Sequence, residues 1–340
     1  MTHTLLVSDE LAPGAPGGVG AWTDDAARAL CAAGQRVTLV ARAARGADTG
    51  AWDAAHPARV LRAPGRSWGR WGGLWSLLRA LPALRGVDRV LCATWPVATL
   101  LAPALRRVGV PVVVAAHGSE LTRWGAAPAA LRRVDRAARW APVSAFLGAE
   151  LARLGLGPPA VPLPMPLPWA SIPPGTAPRR GLLVVARGTP LKGLDRAARL
   201  AAALGEPLTV IGAGEAARAW APGATLRPAL PRAEVWAAMA AARAVLLLSR
   251  AGPDGRGAEG LGLCLLEAAA CATPAIGAAT GGIPEALGPG LRLDTPDNPD
   301  LGAVAAFLAD PTAGPRARAW LCANHGPAAF VSALEARFSP

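Results

Sequence analysis

A proline-rich stretch in the middle of the chain constrains its organisation more than any other feature. Prolines recur at short intervals from Pro158 to Pro178. Because proline neither continues a helix nor donates a hydrogen bond to a strand ladder, we expect a semi-rigid linker here. A chain of 340 residues is long enough for one domain on each side of it. The predicted organisation is an N-terminal domain at 1–161, a linker at 162–178, a C-terminal domain at 179–325 and a last helix at 326–340 that packs back on the N-terminal domain.

Both halves of the chain alternate between short apolar runs and longer segments of helical periodicity. This alternation is typical of α/β domains in which helices cover a parallel sheet. We therefore predict two doubly wound, Rossmann-like domains with ligands at the carboxyl ends of the strands. The predicted strands are 4–8, 36–41, 89–93, 110–116, 141–144, 181–186, 208–211, 244–249 and 274–277. The predicted helices are 21–33, 68–84, 126–140, 145–154, 193–204, 232–241, 263–272, 301–308 and 327–337.

Charge and composition exclude several classes of protein. The formal net charge is +12, which favours anionic ligands or surfaces. The sequence has no run of five basic residues and no zinc-finger spacing, so we expect no nucleic-acid partner. Its five cysteines form no C-x-x-C pair, which indicates reduced thiols. The sequence shows neither a signal peptide nor an apolar run of about 18 residues, so we expect a cytoplasmic protein.

Lys192 is the most informative single residue, because it is the only lysine beside 34 arginines (35 basic residues minus one). Lysine places a compact point charge, whereas arginine presents a planar fork. Arg187 ends a predicted strand and Gly193 opens a predicted helix, so both cations are expected beside a helix N-terminus. Such a place favours an anion such as phosphate. The alternative is a lysine that stands at a helix start by chance.

Two carboxylates, Glu259 and Glu267, flank a glycine-rich and otherwise apolar stretch. Gly260 and Gly262 allow a ligand to approach the backbone closely. Glu267 is expected about one turn into the helix, where a buried acid needs hydrogen-bond donors, and sugar hydroxyls are suitable ones. A capping or surface glutamate, and a paired catalytic acid and base, remain open as alternatives.

Four motifs in the second half together resemble the retaining glycosyltransferases of family 4, which have the GT-B fold. Their order and spacing match over residues 181–290. Shorter matches at Gly17-Gly-Val-Gly20, His117-Gly118 and Val143-Ser144 extend the resemblance over nearly the whole chain. The four motifs are Arg187-Gly-Thr-Pro-Leu-Lys192-Gly193, Glu259 to Glu267, Ala270-Cys-Ala-Thr-Pro274 and Gly281-Gly-Ile-Pro-Glu285.

The resemblance implies a donor site for a nucleoside diphosphate sugar, of the UDP or GDP type, in the C-terminal domain. Arg187 and Lys192 would neutralise the diphosphate, and the segment 226–230 would contact the base through its main chain. Glu259 would contact the sugar, and Glu267 would accept hydrogen bonds from the ribose hydroxyls. Further donor contacts are expected in the glycine-rich loop, at Gly260, Leu261, Gly262 and Leu263.

The resemblance also implies how the sugar is transferred. Gly18 would approach the diphosphate from the N-terminal domain, and His117 would lie near the reacting sugar. The catalytic candidates are therefore His117, Glu259, Arg187 and Lys192. No metal or other cofactor is expected, because two cations and a helix dipole stabilise the leaving diphosphate. Retention in this family is ascribed to front-face attack, in which a leaving phosphate oxygen helps to deprotonate the acceptor.

The sequence departs from the family pattern at four places. Leu261 stands where relatives usually have an aromatic residue, and Ala272 stands where they usually have glycine. The segment 162–168 is proline and apolar residues throughout, where relatives often have Asn-Gly. The loop 249–259 is extended and is a candidate cover for the donor. None of these departures removes a charged donor contact.

Other signals are weaker, and each has an ordinary structural alternative. His117 follows an apolar run and is as well explained by packing as by function. The segment 66–79 mixes tryptophan and arginine at helical spacing, which fits either peripheral contact with an anionic membrane or a simple core stripe. Ser119 and Glu120 are candidate acceptor contacts or a solvated turn. We expect acceptor choice to lie in the loops 65–73 and 119–128.

Two other functions compete with glycosyl transfer. One is a sugar-nucleotide epimerase of the same fold, and the other is a degenerate nucleotide-sugar-binding scaffold. Both are disfavoured by the complete set of Arg187, Lys192, Glu259 and Glu267. The small-molecule, glycan or lipid-linked acceptor, the donor sugar and the oligomeric state do not follow from the sequence.

Overall fold

The computed structural model describes residues 1–13, 17–42, 48–63, 81–107, 109–118, 121, 128–175, 178–252 and 257–339. The chain forms two compact units. The N-terminal unit comprises Met1–Leu167 and His325–Pro340, and the C-terminal unit comprises Pro168–Asn324.

The N-terminal unit contains a six-stranded parallel sheet. Its strands are β1 (His3–Ser8), β2 (Arg36–Arg42), β3 (Arg59–Ala63), β4 (Arg89–Cys92), β5 (Val112–Ala116) and β6 (Arg139–Pro142). The spatial order is β3-β2-β1-β4-β5-β6, the order of a Rossmann-like sheet. The order reverses between β1 and β4, and open α/β sheets bind their ligands at such a switch point.

The C-terminal unit repeats this architecture. Its strands are β7 (Leu182–Val185), β8 (Leu208–Ile211), β9 (Thr225–Arg227), β10 (Ala244–Leu247), β11 (Ala275–Ala278) and β12 (Leu291–Leu293). They pair in parallel in the order β12-β11-β10-β7-β8-β9, so the switch point lies between β7 and β10. The central strands are short runs of Ala, Val and Leu that are buried on both faces, as a covered parallel sheet requires.

Helices connect successive strands in both units. Those of the described residues are α1 (Gly18–Ala32), α2 (Gly50–Ala55), α3 (Trp95–Arg107), α4 (Pro128–Asp135), α5 (Ala145–Arg153), α6 (Leu194–Leu204), α7 (Arg232–Ala241), α8 (Leu263–Ala270), α9 (Ile283–Leu287), α10 (Leu301–Ala309), α11 (Ala313–Asn324) and α12 (Pro327–Phe338). Within these ranges, no helix combines the length and the apolar character that crossing a membrane requires.

The last helix, α12, belongs to the N-terminal unit. The Phe330 ring meets the edge of Trp22 of α1 at 5.8 Å between centroids, and both residues are fully buried. Arg89 of β4 is also buried, and it forms an ion pair with Glu335. These contacts anchor α12 through both apolar packing and a charged pair.

The predicted fold class is confirmed, since the chain is α/β with two six-stranded parallel sheets. The predicted helix 126–140 is wrong over its last part, because Arg139–Pro142 forms β6 and pairs with β5. The predicted helix 68–84 lies outside the described residues except for Leu81–Leu84, which form a 3-10 turn. The sequence patterns missed β3, β9, β12, α2, α3, α9 and α11.

Candidate active site

The turn that carries the single lysine lies at the switch point of the C-terminal sheet. Arg187 follows β7 and is exposed, and Lys192 ends the 3-10 turn Pro190–Lys192 just before α6. Gly193 has a φ of 63°, and a Cβ there would collide with the carbonyl oxygen of Leu248 at the end of β10. Only glycine therefore allows this turn to seat against the neighbouring strand, which fixes the position of Lys192.

Lys192 and Glu259 form an ion pair between Nζ and Oε2. Their side chains are 24% and 21% exposed, so the pair is reachable from solvent. The structure thus brings together two of the residues that the sequence singled out separately. An incoming phosphate would compete with the Glu259 carboxylate for the Lys192 ammonium, because both are anions.

The glycine-rich loop after Glu259 is held by a second glycine pair. The amide of Gly282 donates to the carbonyl oxygen of Glu259 at 2.8 Å. A Cβ at Gly281 would collide with the Glu259 carbonyl, and a Cβ at Gly282 would collide with that of Gly260. The two backbone segments can therefore pack face to face only because these positions are glycine.

The loop leads directly into α8. Gly262 precedes the helix with a φ of 100°, and Leu263 is the first helical residue. The first N–H groups of a helix have no partner within the helix and favour an anion. Gly260 and Leu261 are buried just before this end of α8, so the residues of the predicted backbone contacts lie next to it in the chain.

Glu267 lies in the fifth position of α8 and is only 7% exposed. Its Oε1 accepts a hydrogen bond from Nε of Arg232 at 2.8 Å and another from Nε1 of Trp236 at 3.1 Å. Both partners come from α7. The sequence indicated that this acid needs donors but not that the protein supplies two of them. The one available signal was an arginine and a tryptophan four residues apart, on one face of α7.

Gly18 opens α1 in the N-terminal unit. A Cβ at Gly18 would meet no atom of the described residues within 4 Å, whereas a Cβ at Gly17 would lie 2.5 Å from Oε2 of Glu10. A side chain at position 17 would therefore have to displace the Glu10 carboxylate, whereas one at position 18 would not meet the described part of this unit. The predicted contact of Gly18 with a diphosphate is compatible with this open surface.

His117 follows β5 at the carboxyl edge of the N-terminal sheet. Its ring makes an edge contact with Trp22, with 4.7 Å between centroids, and its Nε2 is buried. Burial lowers the pKa of His117 to about 3, so the imidazole is neutral at physiological pH. A neutral imidazole can donate or accept a hydrogen bond at a reacting group, but it does not supply a positive charge.

Sequence reasoning missed Asp9 and Thr94, which flank the switch point of the N-terminal sheet. Asp9 follows β1 and Thr94 follows β4, next to the hydrogen bond from the Ala93 amide to Val7. Oδ1 of Asp9 and Oγ1 of Thr94 are buried without a hydrogen-bond partner in the described part of the chain. Burial raises the pKa of Asp9, and a backbone hydrogen bond and the positive charge of Arg42 oppose this effect. No local motif marks either residue, because only the strand order places them together.

Several predicted features lie outside the described residues. They are Ser119 and Glu120, the segment 66–79, most of the loop 119–128 and the centre of the loop 249–259.

Two family models match the chain in succession. One, described as Glycosyltransferase Family 4, matches residues 16–162, and the other, Glycosyl transferases group 1, matches residues 177–301. None of the curated proteins matches the sequence as a relative.

Solved structures share the fold at low sequence identity. The chain is similar to HepE of Anabaena in complex with UDP-glucose, at 16% identity and a TM-score of 0.75, with 98% of each chain covered. It is also similar to a sucrose-phosphate synthase from Thermosynechococcus elongatus, at 18% identity and a TM-score of 0.73, over 99% of this chain and 97% of that one. WaaG, a glycosyltransferase of lipopolysaccharide biosynthesis, matches at 15% identity and a TM-score of 0.66, over 99% of this chain and 100% of that one.

Proposed function

Because the chain belongs to glycosyltransferase family 4 and has the GT-B fold, we propose that it is a retaining enzyme that moves a sugar from a nucleoside diphosphate to an acceptor hydroxyl. Its use of a nucleotide-sugar donor follows from the family. The observation that carries the proposal is the Lys192–Glu259 pair beside Arg187, at the switch point of the C-terminal sheet and the N-terminus of α8.

In this proposal the C-terminal unit holds the donor. Arg187 and Lys192 bind the diphosphate, and the amides from Gly260 to Leu263 add hydrogen-bond donors at the start of α8. In this proposal Lys192 turns from Glu259 to the phosphate, and this releases the Glu259 carboxylate to accept from a sugar hydroxyl. One exchange of partners therefore provides a cation for the diphosphate and a hydrogen-bond acceptor for the sugar.

In this proposal the N-terminal unit binds the acceptor, and Gly18 and His117 keep the roles that the family resemblance implies for them, at the diphosphate and near the reacting sugar. The leaving phosphate oxygen takes the proton of the acceptor hydroxyl, so the reaction needs no separate base. Charge develops on the diphosphate as the glycosidic bond breaks, and Arg187 and Lys192 stabilise it. His117 is neutral, so it contributes a hydrogen bond to the sugar or the acceptor and no charge.

UDP is the first candidate for the nucleotide. The structure of HepE contains UDP-glucose, and HepE shares the fold of this chain over almost its whole length. GDP is the second candidate, because the resemblance to the family implies a donor of either the UDP or the GDP type.

A thermal-shift titration with UDP, GDP, ADP and dTDP, each with and without EDTA, tests the proposal. A ligand that binds only the native state raises the melting temperature. We expect one nucleotide to stabilise the protein, with no effect of EDTA, and the stabilisation to be lost in Lys192→Ala. Arg218→Ala is the matched control, since Arg218 pairs with Glu215 on the surface and is 58% exposed. If no nucleotide stabilises the wild-type protein, or if Lys192→Ala is stabilised equally, the assigned donor site is wrong.

A further inference from the structure

Glu267 is the most deeply buried acid of the proposed donor site, and its burial requires compensation. Only 7% of the residue is exposed. A carboxylate that is withdrawn from water is costly unless hydrogen bonds and an opposite charge replace its hydration. The guanidinium of Arg232 and the indole N–H of Trp236 supply both.

Arg232 and Trp236 act on Glu267 as a single unit. They lie four residues apart on α7, and the guanidinium carbon of Arg232 lies 4.8 Å from the centroid of the Trp236 ring. The ring therefore supports the guanidinium while both groups donate to the same oxygen, Oε1. Two donors from different directions on one oxygen fix the rotation of the carboxylate.

The two oxygens of Glu267 are consequently unequal. Each carboxylate oxygen has two lone pairs for hydrogen bonds. Oε1 already accepts two bonds, whereas Oε2 accepts none from the described residues. Oε2 can therefore accept two hydrogen bonds, which is the number of O–H donors that a vicinal diol provides.

The position of α7 agrees with a diol from the nucleoside. Arg232 is in the first turn of α7, which follows β9 and the segment 226–230 after only one residue. This segment is the one expected to meet the base. Arg187 and Lys192, by contrast, come from the turn between β7 and α6.

We propose that Arg232 and Trp236 are positioning residues that hold Oε1 of Glu267, so that Oε2 receives both ribose hydroxyls and the enzyme selects ribonucleotides over 2′-deoxyribonucleotides. This inference rests on the proposed function, in which Glu267 meets the ribose. It adds two residues outside the family motifs and a selectivity that they set.

Calorimetric binding of UDP and GDP, each compared with its 2′-deoxy analogue, tests the proposal. The variants are Trp236→Phe, which removes the indole N–H and keeps a smaller aromatic ring, Arg232→Lys, which keeps the charge but not the fork, and Glu267→Gln. Glu234→Gln is the control, because Glu234 is exposed in the same first turn of α7. For the wild type and the control we expect the ribonucleotide to bind at least about tenfold more tightly, since a hydrogen bond to a charged group is lost without the 2′-hydroxyl.

For Trp236→Phe and Arg232→Lys we expect the preference to fall to about threefold or less, and for Glu267→Gln we expect a similar fall. A purely structural role would weaken both nucleotides equally and leave their ratio unchanged. An unchanged ratio in the two α7 variants, with a lowered ratio in Glu267→Gln, would overturn this inference and leave the proposed function standing. If Glu267→Gln also keeps the wild-type ratio, or if neither nucleotide binds, the donor site itself is wrongly assigned.

Discussion

At the scale of single residues, the pairing of Lys192 with Glu259 means that each charge is occupied before a donor arrives. The pair is partly exposed, so its contribution to the free energy of unfolding is at most about 1 kcal/mol. The pair matters because the Glu259 carboxylate competes with the diphosphate for the Lys192 ammonium. A diphosphate that takes the ammonium from the carboxylate must overcome the attraction within the pair.

Substitutions at the two ends of this pair should change nucleotide affinity in opposite directions. Lys192→Ala removes a charged donor, so UDP should bind about 10- to 100-fold more weakly. Glu259→Gln removes the competing anion, so UDP should bind about two- to fivefold more tightly, while the rate of sugar transfer falls. Isothermal titration with UDP measures the affinity of both variants, with Arg218→Ala as the control. Weaker binding in both variants would show that the ion pair does not open for the donor.

At the scale of secondary-structure elements, the end of α8 shows how one departure from the family pattern is accommodated. The amides of Ala272 and Thr273 donate to the carbonyls of Ala269 and Ala268, which closes the helix with a Schellman motif. This motif places Ala272 at a φ of 52°, a left-handed conformation that glycine adopts more easily. The backbone of Ala272 is therefore strained, because its Cβ disfavours this conformation.

Ala272→Gly should be nearly neutral, whereas the same change inside a helix should be costly. Glycine relieves about 1–2 kcal/mol of left-handed strain, and this offsets the lost methyl burial and the greater freedom of the unfolded chain. Ala201→Gly is the control, since Ala201 is buried within α6. There we expect a loss of about 2 kcal/mol, against less than about 1 kcal/mol for Ala272→Gly. Urea unfolding measures both, and equal losses would contradict the account of the strain.

The elements that the sequence predicted well are those whose local pattern agrees with their surroundings. β8 and α7 begin and end at the predicted residues, 208–211 and 232–241. α3 was missed because a proline stands at position 103 in its interior, and an internal proline normally argues against a helix. The first two residues of β6, Arg139 and Trp140, were assigned to the preceding helix, because pairing with β5 overrides local helix propensity there, whereas 141 and 142 were predicted as strand.

At the scale of the whole molecule, both units place chemically useful groups at the switch point of their sheet. Arg187 was predictable because a charge directly after a predicted strand stands out in the sequence, and Lys192 because it is the only lysine. The positions of Trp236 and Asp9 were not, because an ordinary tryptophan on a helix and an aspartate after a strand acquire their roles only from tertiary neighbours. The motifs therefore predict the charged groups of the site, and the fold supplies the residues that position them.

Two buried histidines connect the stability of the N-terminal unit to pH. Burial lowers the pKa of His117 to about 3 and that of His325 to about 4. The Nδ1 of His325 accepts a hydrogen bond from the Met165 amide at 3.1 Å, and protonation of that nitrogen would break the bond. Both groups have an ordinary pKa near 6.5, so the unfolded chain binds more protons than the folded chain below this pH.

The free energy of unfolding should therefore fall as the pH is lowered from about 6.5 towards 4, before most carboxylates titrate. For His117 alone the loss should be on the order of 3 kcal/mol at pH 4, because each pKa unit corresponds to about 1.4 kcal/mol. Urea unfolding of the wild type and of His117→Asn at pH 7, 6, 5 and 4 measures it, and the variant should show a clearly flatter profile. Because the imidazole of His117 stays neutral in this range, its titration should not cause kcat to change with pH near 6.5. If the free energy of unfolding falls equally with pH in the wild type and in His117→Asn, His117 titrates normally and can reach solvent. It could then act as a cation in the site.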